Sequence, residues 1–508
     1  MSAASTDSPP PVEPRTLVLV FDGTANEYNK YDTNAVKFFG LLKKDDWRTQ
    51  LCYYQSGIGT YFNPSVVSPL FEWCAKILDM AIALYLSRPT RYGWIQAHSS
   101  WRTTTPETAS ASSASRVART PARALAGMLH KVGLLPRSNA EQLPFAFKMY
   151  TNTSDAGVEL AAGYKTTFCQ DVKVHFLGCW DTVASVGVVT SRTLPFTATN
   201  TSIKTFRHAL ALDERRVRFQ PLLVEPKQPP FPDEAVQANP PPGATGSDHT
   251  SSDTDEEGDT VPDVLEVWFV GCHSDIGGGN EPQTAPRTLA DITLRWMVRH
   301  VEAAGCSIRF DEKALVKSQI RLDYPPTAPG VDVSERSPFA PSVDSGYTSG
   351  TGVDGQQKKP ERGRVRWRRF SFSSNPKPSR RQNRRASTHP KHPVAVNSDD
   401  RTIDVLDATQ PLYDSLTPSG AAAGGIGVVA GFFIAIGWNV LEGVPMLWRV
   451  QDTKGGWVRK FGLHLRRGRT VIDPAPNFHV TVKERMQVDG MGYTPRALWT
   501  AGTEVYVE

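Results

Sequence analysis

The sequence predicts an α/β fold with a mainly parallel sheet and flanking helices. Short apolar runs alternate with amphipathic stretches over most of the 508 residues, which is typical of parallel strands joined by helices. Several of these runs end in a polar, glycine-containing motif, as buried parallel strands do when they lead into a loop at the carboxyl edge of the sheet. Two long stretches rich in Pro, Ser and charged residues interrupt the pattern and are expected to be disordered.

The strands and helices follow from the spacing of apolar residues. Residue pairs such as Leu294 with Val301 recur at helical spacing, whereas LVLVF and VLEVWFV are continuous apolar runs of strand length. The predicted strands are 17–21, 51–55, 172–179 and 264–270. The predicted helices are 34–42, 70–86, 122–134, 205–210 and 289–304.

Changes in composition set the expected domain boundaries. The first 14 residues are polar and Pro-rich, and they are expected to form a disordered tail. The remainder divides into a folded domain over 15–324 with a disordered insertion at 225–262, a disordered basic linker at 325–402, and a partly apolar cap segment at 403–508.

The charge balance argues against a nucleic-acid partner. The chain has 57 basic and 52 acidic residues, so its net charge of +5 creates no strong global field. The basic excess is local, between Gln356 and Arg385, in a run without apolar periodicity. A disordered tract is the simplest interpretation, and contact with an acidic partner or an anionic membrane surface is the alternative.

The cysteines and the N-terminus indicate an intracellular protein. The six cysteines are scattered through apolar runs without CxxC spacing, which is typical of reduced core residues. The first residues, MSAASTDSPPP, do not have the composition of a secretory signal. We therefore expect a cytoplasmic or membrane-associated location.

The apolar stretch at 420–441 has the length of a membrane span. Its first half is rich in Ala and Gly and only weakly hydrophobic, and a basic segment follows it. The sequence leaves two interpretations open, a buried or membrane-interfacial hairpin and a transmembrane helix.

The segment 101–121, within the region 98–121 that we interpret as mis-framed, departs from the pattern on either side. It reads WRTTTPETASASSASRVARTP, a Ser/Thr-rich loop that runs directly into the amphipathic helix ARALAGMLHKVGLL. One permitted set of codons, read one nucleotide upstream, decodes as MEDNYAGDRICLFGFSRGAYT. That product contains an apolar strand and a G-x-S-x-G nucleophile elbow, with its serine at the position of Arg116. A local frame error or a mis-called intron explains this coincidence, and a true low-complexity insert is the alternative.

Asp181 and His273 are the candidate catalytic partners of that serine. Both follow predicted strands, in the motifs CWDTVASVG and GCHSDIGGGN, and Ser–Asp–His is the chain order of α/β-hydrolases. Asp181 could instead cap the following helix. Asp275 competes for the role of the acid that orients His273, although an aspartate at this position also shapes turns.

A second group of polar residues is expected around the same cleft. Backbone N–H groups in the turn Asp22-Gly23-Thr24 could form an oxyanion hole, or Asp22 could cap a tight turn. The motif HALALDERR contributes His208, Asp213 and Arg215, which we interpret as structural support. The pattern indicates neither a metal nor a cofactor.

Together these motifs resemble the type VI secretion phospholipase effector-like catalytic domain, a large family of α/β-hydrolases. The matching segments include LVLVFDGTAN, YYQSGIGT, FLGCWDTVASVG and VWFVGCHSDIGGGN, so the resemblance covers most of the chain outside the insertions. It implies hydrolysis of an ester, plausibly a lipid, by a serine with Asp181 and His273 as partners. The family's GFSRGA elbow is absent, and its expected place is immediately before ARALAGML.

Two other functions compete with this one. The motif VFDGT is superficially similar to the aspartyl-phosphate site of haloacid-dehalogenase-like phosphatases, but Thr24 stands where that site needs a second acid. A non-catalytic, membrane-associated protein on a hydrolase fold is the other alternative. The chain as given is expected to be inactive, since it lacks the nucleophile.

Overall fold

The computed structural model describes residues 15–23, 28, 30–56, 109–112, 119–136, 140–183, 202–224, 262–322, 398–423, 425, 427–452 and 456–508. For 109–112, 119–121, 140 and 398–399 it describes the backbone alone. The predicted helix 70–86, the tail 1–14, most of the segment 98–121, nearly all of the insertion 225–262 and most of the linker 325–402 lie outside these residues.

A parallel eight-stranded sheet forms the centre of the described fold. Its order is β10-β9-β6-β5-β4-β3-β1-β2, and every neighbouring pair in it is parallel. A separate antiparallel hairpin joins β7 to β8. The strands are β1 Thr16–Phe21, β2 Gln50–Gln55, β3 Ala109–Ser112, β4 Val174–Trp180, β5 Ile203–Ala211, β6 Asp263–Phe269, β7 Met446–Gln451, β8 Trp457–Gly462, β9 Asn477–His479 and β10 Val505–Val507.

Helices cover both faces of the sheet. In β1, Val18 and Val20 join one hydrophobic cluster while Leu17 and Leu19 join the other, as the twofold alternation of a strand requires. The described helices are α1 Asn34–Leu41, α2 Arg119–Val132, α3 Leu143–Thr151, α4 Asp155–Phe168, α5 His273–Gly277, α6 Leu289–Ala303, α7 Glu312–Lys317, α8 Ser398–Ala408, α9 Pro418–Ala422, α10 Val428–Glu442 and α11 Val480–Gln487. The predicted α/β fold with a mainly parallel sheet is confirmed.

The predicted helix at 205–210 is wrong. These residues belong to β5, which pairs with β4 on one side and β6 on the other. All of its residues from Thr205 to Ala211 are buried. The run HALALD has good helix formers, but a segment with a strand on either side gains hydrogen bonds along both edges, and that tertiary context outweighs local propensity.

The loop interpretation of the segment 101–121 is also wrong for four of its residues. Ala109–Ser112 forms β3, a parallel strand between β1 and β4. Backbone groups of β1 and β4 pair with it whatever its side chains are, so a low-complexity sequence is accommodated at the backbone level. The chain therefore runs from a central strand toward helix α2, which is the context in which a nucleophile elbow occurs.

The C-terminal segment, 403–508, contributes strands to the main sheet. Its strands β9 and β10 extend the main sheet beyond β6. The apolar stretch at 420–441 forms α9 and α10, which pack against each other as a helical hairpin. Among the residues that the structure describes, no helix is both long and apolar enough to cross a membrane.

Candidate active site

Polar loops meet where strands β4, β5 and β6 end. Asp181 follows β4 directly, and His273 begins helix α5 after β6. Asp213 and Glu214 lie just beyond β5. All four side chains are buried. The predicted convergence of strand-end residues at one sheet edge is therefore found.

Asp181 and His273 are in direct contact. The carboxylate Oδ2 of Asp181 faces Nδ1 of His273 at hydrogen-bonding distance, although 92 positions separate the two residues. Because a carboxylate only accepts hydrogen bonds, Nδ1 carries the proton of this bond. Nε2 is then the basic nitrogen of the neutral ring, which is the arrangement a general base needs.

Asp181 has an unusual backbone conformation. Its φ is 49°, in the left-handed region that residues other than glycine seldom adopt. The conformation is held by the Asp181 N–H, which donates to Ala209 O at 2.6 Å, and by the Ala211 N–H, which donates to Asp181 Oδ1 at 2.9 Å. Such strain costs about 1–3 kcal/mol and is concentrated at functional sites.

Arg469 from the C-terminal segment clamps the same carboxylate. Its guanidinium contacts both oxygens of Asp181, with Nη2 at 2.9 Å from Oδ2, and it also donates to the carbonyls of Ala211 and Phe219. The Arg469 side chain is 1% exposed. A bidentate pair of this kind fixes the orientation of the carboxylate as well as its charge.

These contacts keep Asp181 ionised. Burial alone would raise the pKa of the Asp181 carboxyl, but the charge of Arg469 and the hydrogen bond with His273 hold this pKa well below its usual range. An ionised carboxylate can accept a hydrogen bond but cannot donate one. It therefore keeps the proton on Nδ1 of His273, which fixes the tautomer of the ring.

Glu214 and Arg216 form a second buried ion pair beside His273. Arg216 donates to both carboxylate oxygens of Glu214, at 2.9 and 2.7 Å, and the His273 N–H lies 3.3 Å from Glu214 Oε2. Arg216 also lies 3.5 Å from the ring centroid of Phe219, whose ring packs edge-on against His273 at 4.7 Å. Sequence reasoning missed these three residues, since ERRVRF looks like an ordinary charged turn.

Glu214 is expected to make the fold sensitive to acid. Burial alone would raise its pKa, but Arg216 lowers the pKa of the Glu214 carboxyl from 4.5 to about 2. Because the pKa of Glu214 is lower in the folded state than in the unfolded state, its ionisation adds roughly 3 kcal/mol to the free energy of unfolding. This contribution is complete above pH 4.5 and is lost as the pH falls toward 2. Urea unfolding of Glu214→Gln should therefore show a deficit against the unsubstituted chain at pH 7 that shrinks at pH 3. A deficit that is constant with pH would contradict this linkage.

Asp275 lies near His273 but has other partners. Its Oδ2 accepts from the N–H of Cys272 at 2.8 Å and from the N–H of Tyr413 at 3.1 Å. A Cβ at Gly271, whose φ is 120°, would lie 2.5 Å from the Cβ of Asp275, so glycine lets the loop close at this point. The geometry favours a turn-forming role for Asp275 and favours Asp181 as the partner of His273.

His208, Asp213 and Arg215 make supporting contacts. His208 accepts from the N–H of Thr182 at 2.9 Å, and its other ring nitrogen lies 2.8 Å from Glu266. Asp213 accepts from the Gly271 N–H and the Tyr493 hydroxyl, both at 2.8 Å, which ties the strand-end loops together. The side chain of Arg215 pairs with Asp414. The role of these three residues as structural support stays a prediction.

Asp22 is buried and accepts several hydrogen bonds. The hydroxyl of Tyr54 donates to Oδ2 at 2.7 Å, while the hydroxyl of Thr33 and the N–H of Gly23 donate to Oδ1 at 2.9 and 2.6 Å. These bonds link the end of β1 to β2 and to the residue before α1, and the Gly23 N–H is engaged in one of them. The third predicted residue of this turn, Thr24, lies outside the described residues.

Asn34 joins this turn region to the histidine loop. Its Nδ2 donates to Ile276 O and to Thr293 Oγ1, both at 3.0 Å, and a bridge pairs Thr33 with Gly278. Asn34 begins helix α1, so the first strand-end loop and the His273 loop are held as one unit. No local pattern in the sequence indicated this contact.

The sequence-predicted position of the nucleophile falls in the chain between β3 and α2. Arg116, where the re-read frame would place the elbow serine, falls outside the described residues. In the described part of the chain, no group of three or more His, Cys, Asp or Glu side chains is arranged to hold a metal ion.

Comparisons with known proteins place this chain among phospholipase-like domains. Residues 15–300 match the model of the family described as T6SS, phospholipase effector Tle1-like, catalytic domain. An uncharacterized protein of Saccharomyces cerevisiae is 26% identical over 403 residues, a match that covers 59% of this chain and 58% of the yeast protein. The chain thus spans less than two thirds of that relative.

Two solved structures are also similar. One is an uncharacterized protein from Pseudomonas aeruginosa, at 14% identity and a TM-score of 0.30, covering 61% of this chain and 48% of that one. The other is the Tle1 effector bound to the VgrG spike of the type 6 secretion system. It has 14% identity and a TM-score of 0.32, and the match covers 61% of this chain and 76% of that one.

Proposed function

This chain belongs to the T6SS phospholipase effector Tle1-like catalytic domain family, and from that premise we propose that it is built as a serine hydrolase of lipid esters. The catalytic pair is Asp181 and His273. The nucleophile is the serine that the re-read frame places at the position of Arg116. The chain as given lacks this serine, so we expect it to be inactive.

The buried contact between Asp181 and His273 carries the proposal. A histidine that meets an ionised, doubly clamped carboxylate at the carboxyl edge of a parallel sheet is arranged as the base–acid pair of a triad. The left-handed backbone of Asp181 adds support, because residues held in such conformations are concentrated at functional sites.

The chemistry follows the acyl-transfer pattern. The serine Oγ attacks the ester carbonyl carbon while Nε2 of His273 takes the hydroxyl proton. The resulting imidazolium gives that proton to the departing alcohol as the C–O bond breaks, which leaves an acyl-enzyme. Water then attacks the acyl carbonyl carbon while the same Nε2 takes its proton. The bond between that carbon and the serine Oγ breaks, the imidazolium returns the proton to Oγ, and the carboxylic acid is released. Asp181 keeps its charge throughout and stabilises the imidazolium.

The oxyanion requires backbone donors aimed at the carbonyl oxygen. The N–H of the residue after the serine is one such donor in an elbow of this type. Gly23 is a weaker candidate than the sequence suggested, because its N–H is already bonded to Asp22. The hydrogen bond from the Gly23 N–H to the Asp22 carboxylate also disfavours the phosphatase alternative, in which that carboxylate would have to act as a nucleophile.

Labelling with a serine-directed fluorophosphonate tests the proposal. The restored chain, in which residues 101–121 are replaced by MEDNYAGDRICLFGFSRGAYT, should label and should hydrolyse short-chain esters and phospholipids. The chain as given should do neither. A restored chain with the elbow serine changed to alanine is the matched control and should not label.

The outcome that contradicts the proposal is a folded restored chain without labelling or hydrolysis. The transcript across codons 95–125 provides a separate test of the frame hypothesis. If those codons cannot be re-read as GFSRG, the chain is a non-catalytic member of the family.

A further inference from the structure

Helix α10 presents its large apolar side chains to solvent. Val428 is 77% exposed and Phe433 is 63% exposed, whereas the buried positions include the small residues Gly431 and Ala435. A surface helix in water normally has the opposite arrangement, with its apolar side toward the core. We define the outer face of α10 as Val428, Val429, Phe432, Phe433, Ile436 and Val440, all of which are exposed.

The inner side of α10 is fixed to the fold. A Cβ at Gly431 would lie 2.5 Å from the Cα of Ala422, so α9 packs directly against the backbone of α10. Asn439 donates to the carbonyl of Leu416 at 2.9 Å, and Glu442 accepts from the N–H of Val217 at 2.6 Å. The helix is therefore held in place with its outer face outward.

Basic residues lie in the hairpin that follows α10 and in the segment just after it. Residues 443–472 contain seven Lys or Arg, of which Arg469 is buried against Asp181, and a single acidic residue, Asp452. Arg459, Lys460, Arg466 and Arg467 are exposed, and no carboxylate in the described part of the chain pairs with them. Phe461, in the same hairpin, is 75% exposed. This combination of exposed apolar and unneutralised basic side chains matches an anionic lipid surface.

The inner side of α10 also reaches the catalytic pair. Trp438 packs edge-on against Phe219 at 5.5 Å between ring centroids, and Phe219 packs against His273 at 4.7 Å. Arg216, the partner of Glu214, lies 5.1 Å from the ring centroid of Trp438. Two ring contacts therefore connect the exposed apolar helix to the candidate general base.

We propose that the outer face of α10, with the basic hairpin β7–β8, docks on an anionic lipid surface and holds the His273 site next to it. The helix has 15 residues and so is shorter than the roughly 20 needed to span a bilayer, which favours a helix lying in the interface. The proposal rests on the proposed function in one respect, that the substrate is a lipid. A protein partner is disfavoured because the outer face offers no polar side chain to specify one.

Vesicle flotation of the full chain as given tests this docking. Vesicles of phosphatidylcholine with phosphatidylserine should bind the chain, and vesicles of phosphatidylcholine alone should bind it weakly. The double variant Phe432→Ser/Phe433→Ser should lower the partition coefficient at least about tenfold, because burial of these rings supplies the apolar part of binding. Arg459→Glu/Lys460→Glu should remove the preference for phosphatidylserine.

The matched control is Phe145→Ser/Phe168→Ser, two exposed phenylalanines on α3 and α4 that should leave flotation unchanged. Equal flotation of the unsubstituted chain and the Phe432→Ser/Phe433→Ser variant would overturn the proposal. So would a dimer in light scattering that dissociates in this variant without any vesicle binding, since the outer face would then pair with a second copy. Hydrolysis of a soluble short-chain ester by the restored chain does not need a lipid surface. The hydrolase proposal and the docking proposal can therefore be contradicted independently.

Discussion

Asp181→Asn in the restored chain should lower kcat for a soluble ester by about 10⁴-fold. The amide nitrogen of asparagine is a donor, so it cannot receive the Nδ1 proton of His273 in the way the carboxylate does. The ring then adopts the tautomer in which Nε2 no longer acts as the base. Asparagine tolerates the left-handed backbone at this position, so the loop itself should be retained.

Two further variants separate catalysis from stability in that experiment. Asp275→Asn should cost far less activity, since Asp275 bonds to Cys272 and Tyr413. Asp181→Asn combined with Arg469→Met removes both charges of the buried pair, so it should recover stability but not activity. The assignment of Asp181 fails if Asp275→Asn abolishes the activity of a folded protein while Asp181→Asn does not.

Arg469→Met should lower the free energy of unfolding by about 3–5 kcal/mol at pH 7. The substitution leaves the Asp181 carboxylate buried with a single strong partner, and it removes donors from the carbonyls of Ala211 and Phe219. Removing one member of a buried pair is costly because the remaining charge is no longer compensated. Urea unfolding followed by tryptophan fluorescence provides the measurement.

The control for Arg469→Met is Arg467→Met, an exposed arginine two residues earlier, which should change stability by less than about 0.5 kcal/mol. The deficit of Arg469→Met should shrink as the pH falls. Without Arg469, burial raises the pKa of Asp181, so the carboxyl can take up a proton and lose its charge at mildly acidic pH. Equal losses of unfolding free energy in the two arginine variants would show that the ion pair between Arg469 and Asp181 does not stabilise the fold.

The sequence predicted those parts of the fold that depend on local periodicity. Strands β1, β2, β4 and β6 and helices α1, α2 and α6 lie within a few residues of their predicted positions. The error at β5 has a clear cause, because HALALD satisfies the pattern of a helix and only its neighbouring strands decide otherwise. Strands β9 and β10 have three residues each, too few for a periodic signal.

The candidate site was predictable where a residue follows a strong strand. Asp181 and His273 end apolar runs, and the parallel arrangement brings such ends to one edge of the sheet. Arg469 carried no comparable signal, since it lies in the run RRGRT beside two exposed arginines with the same composition around them. Glu214 and Phe219 were hidden in the same way within a turn.

What the sequence alone determined is most of the order of strands and helices and the motifs at the strand ends, while the position of a nucleophile stays a prediction. These features are local, because a few consecutive residues fix whether a segment is buried on one face, on both faces or in a turn. The tertiary structure decided which polar groups meet: Arg469 reaches Asp181 across 288 positions, and the Glu442 carboxylate accepts from the Val217 N–H across 225. Such contacts depend on how the whole sheet and its C-terminal extension pack together, and no local pattern encodes that packing.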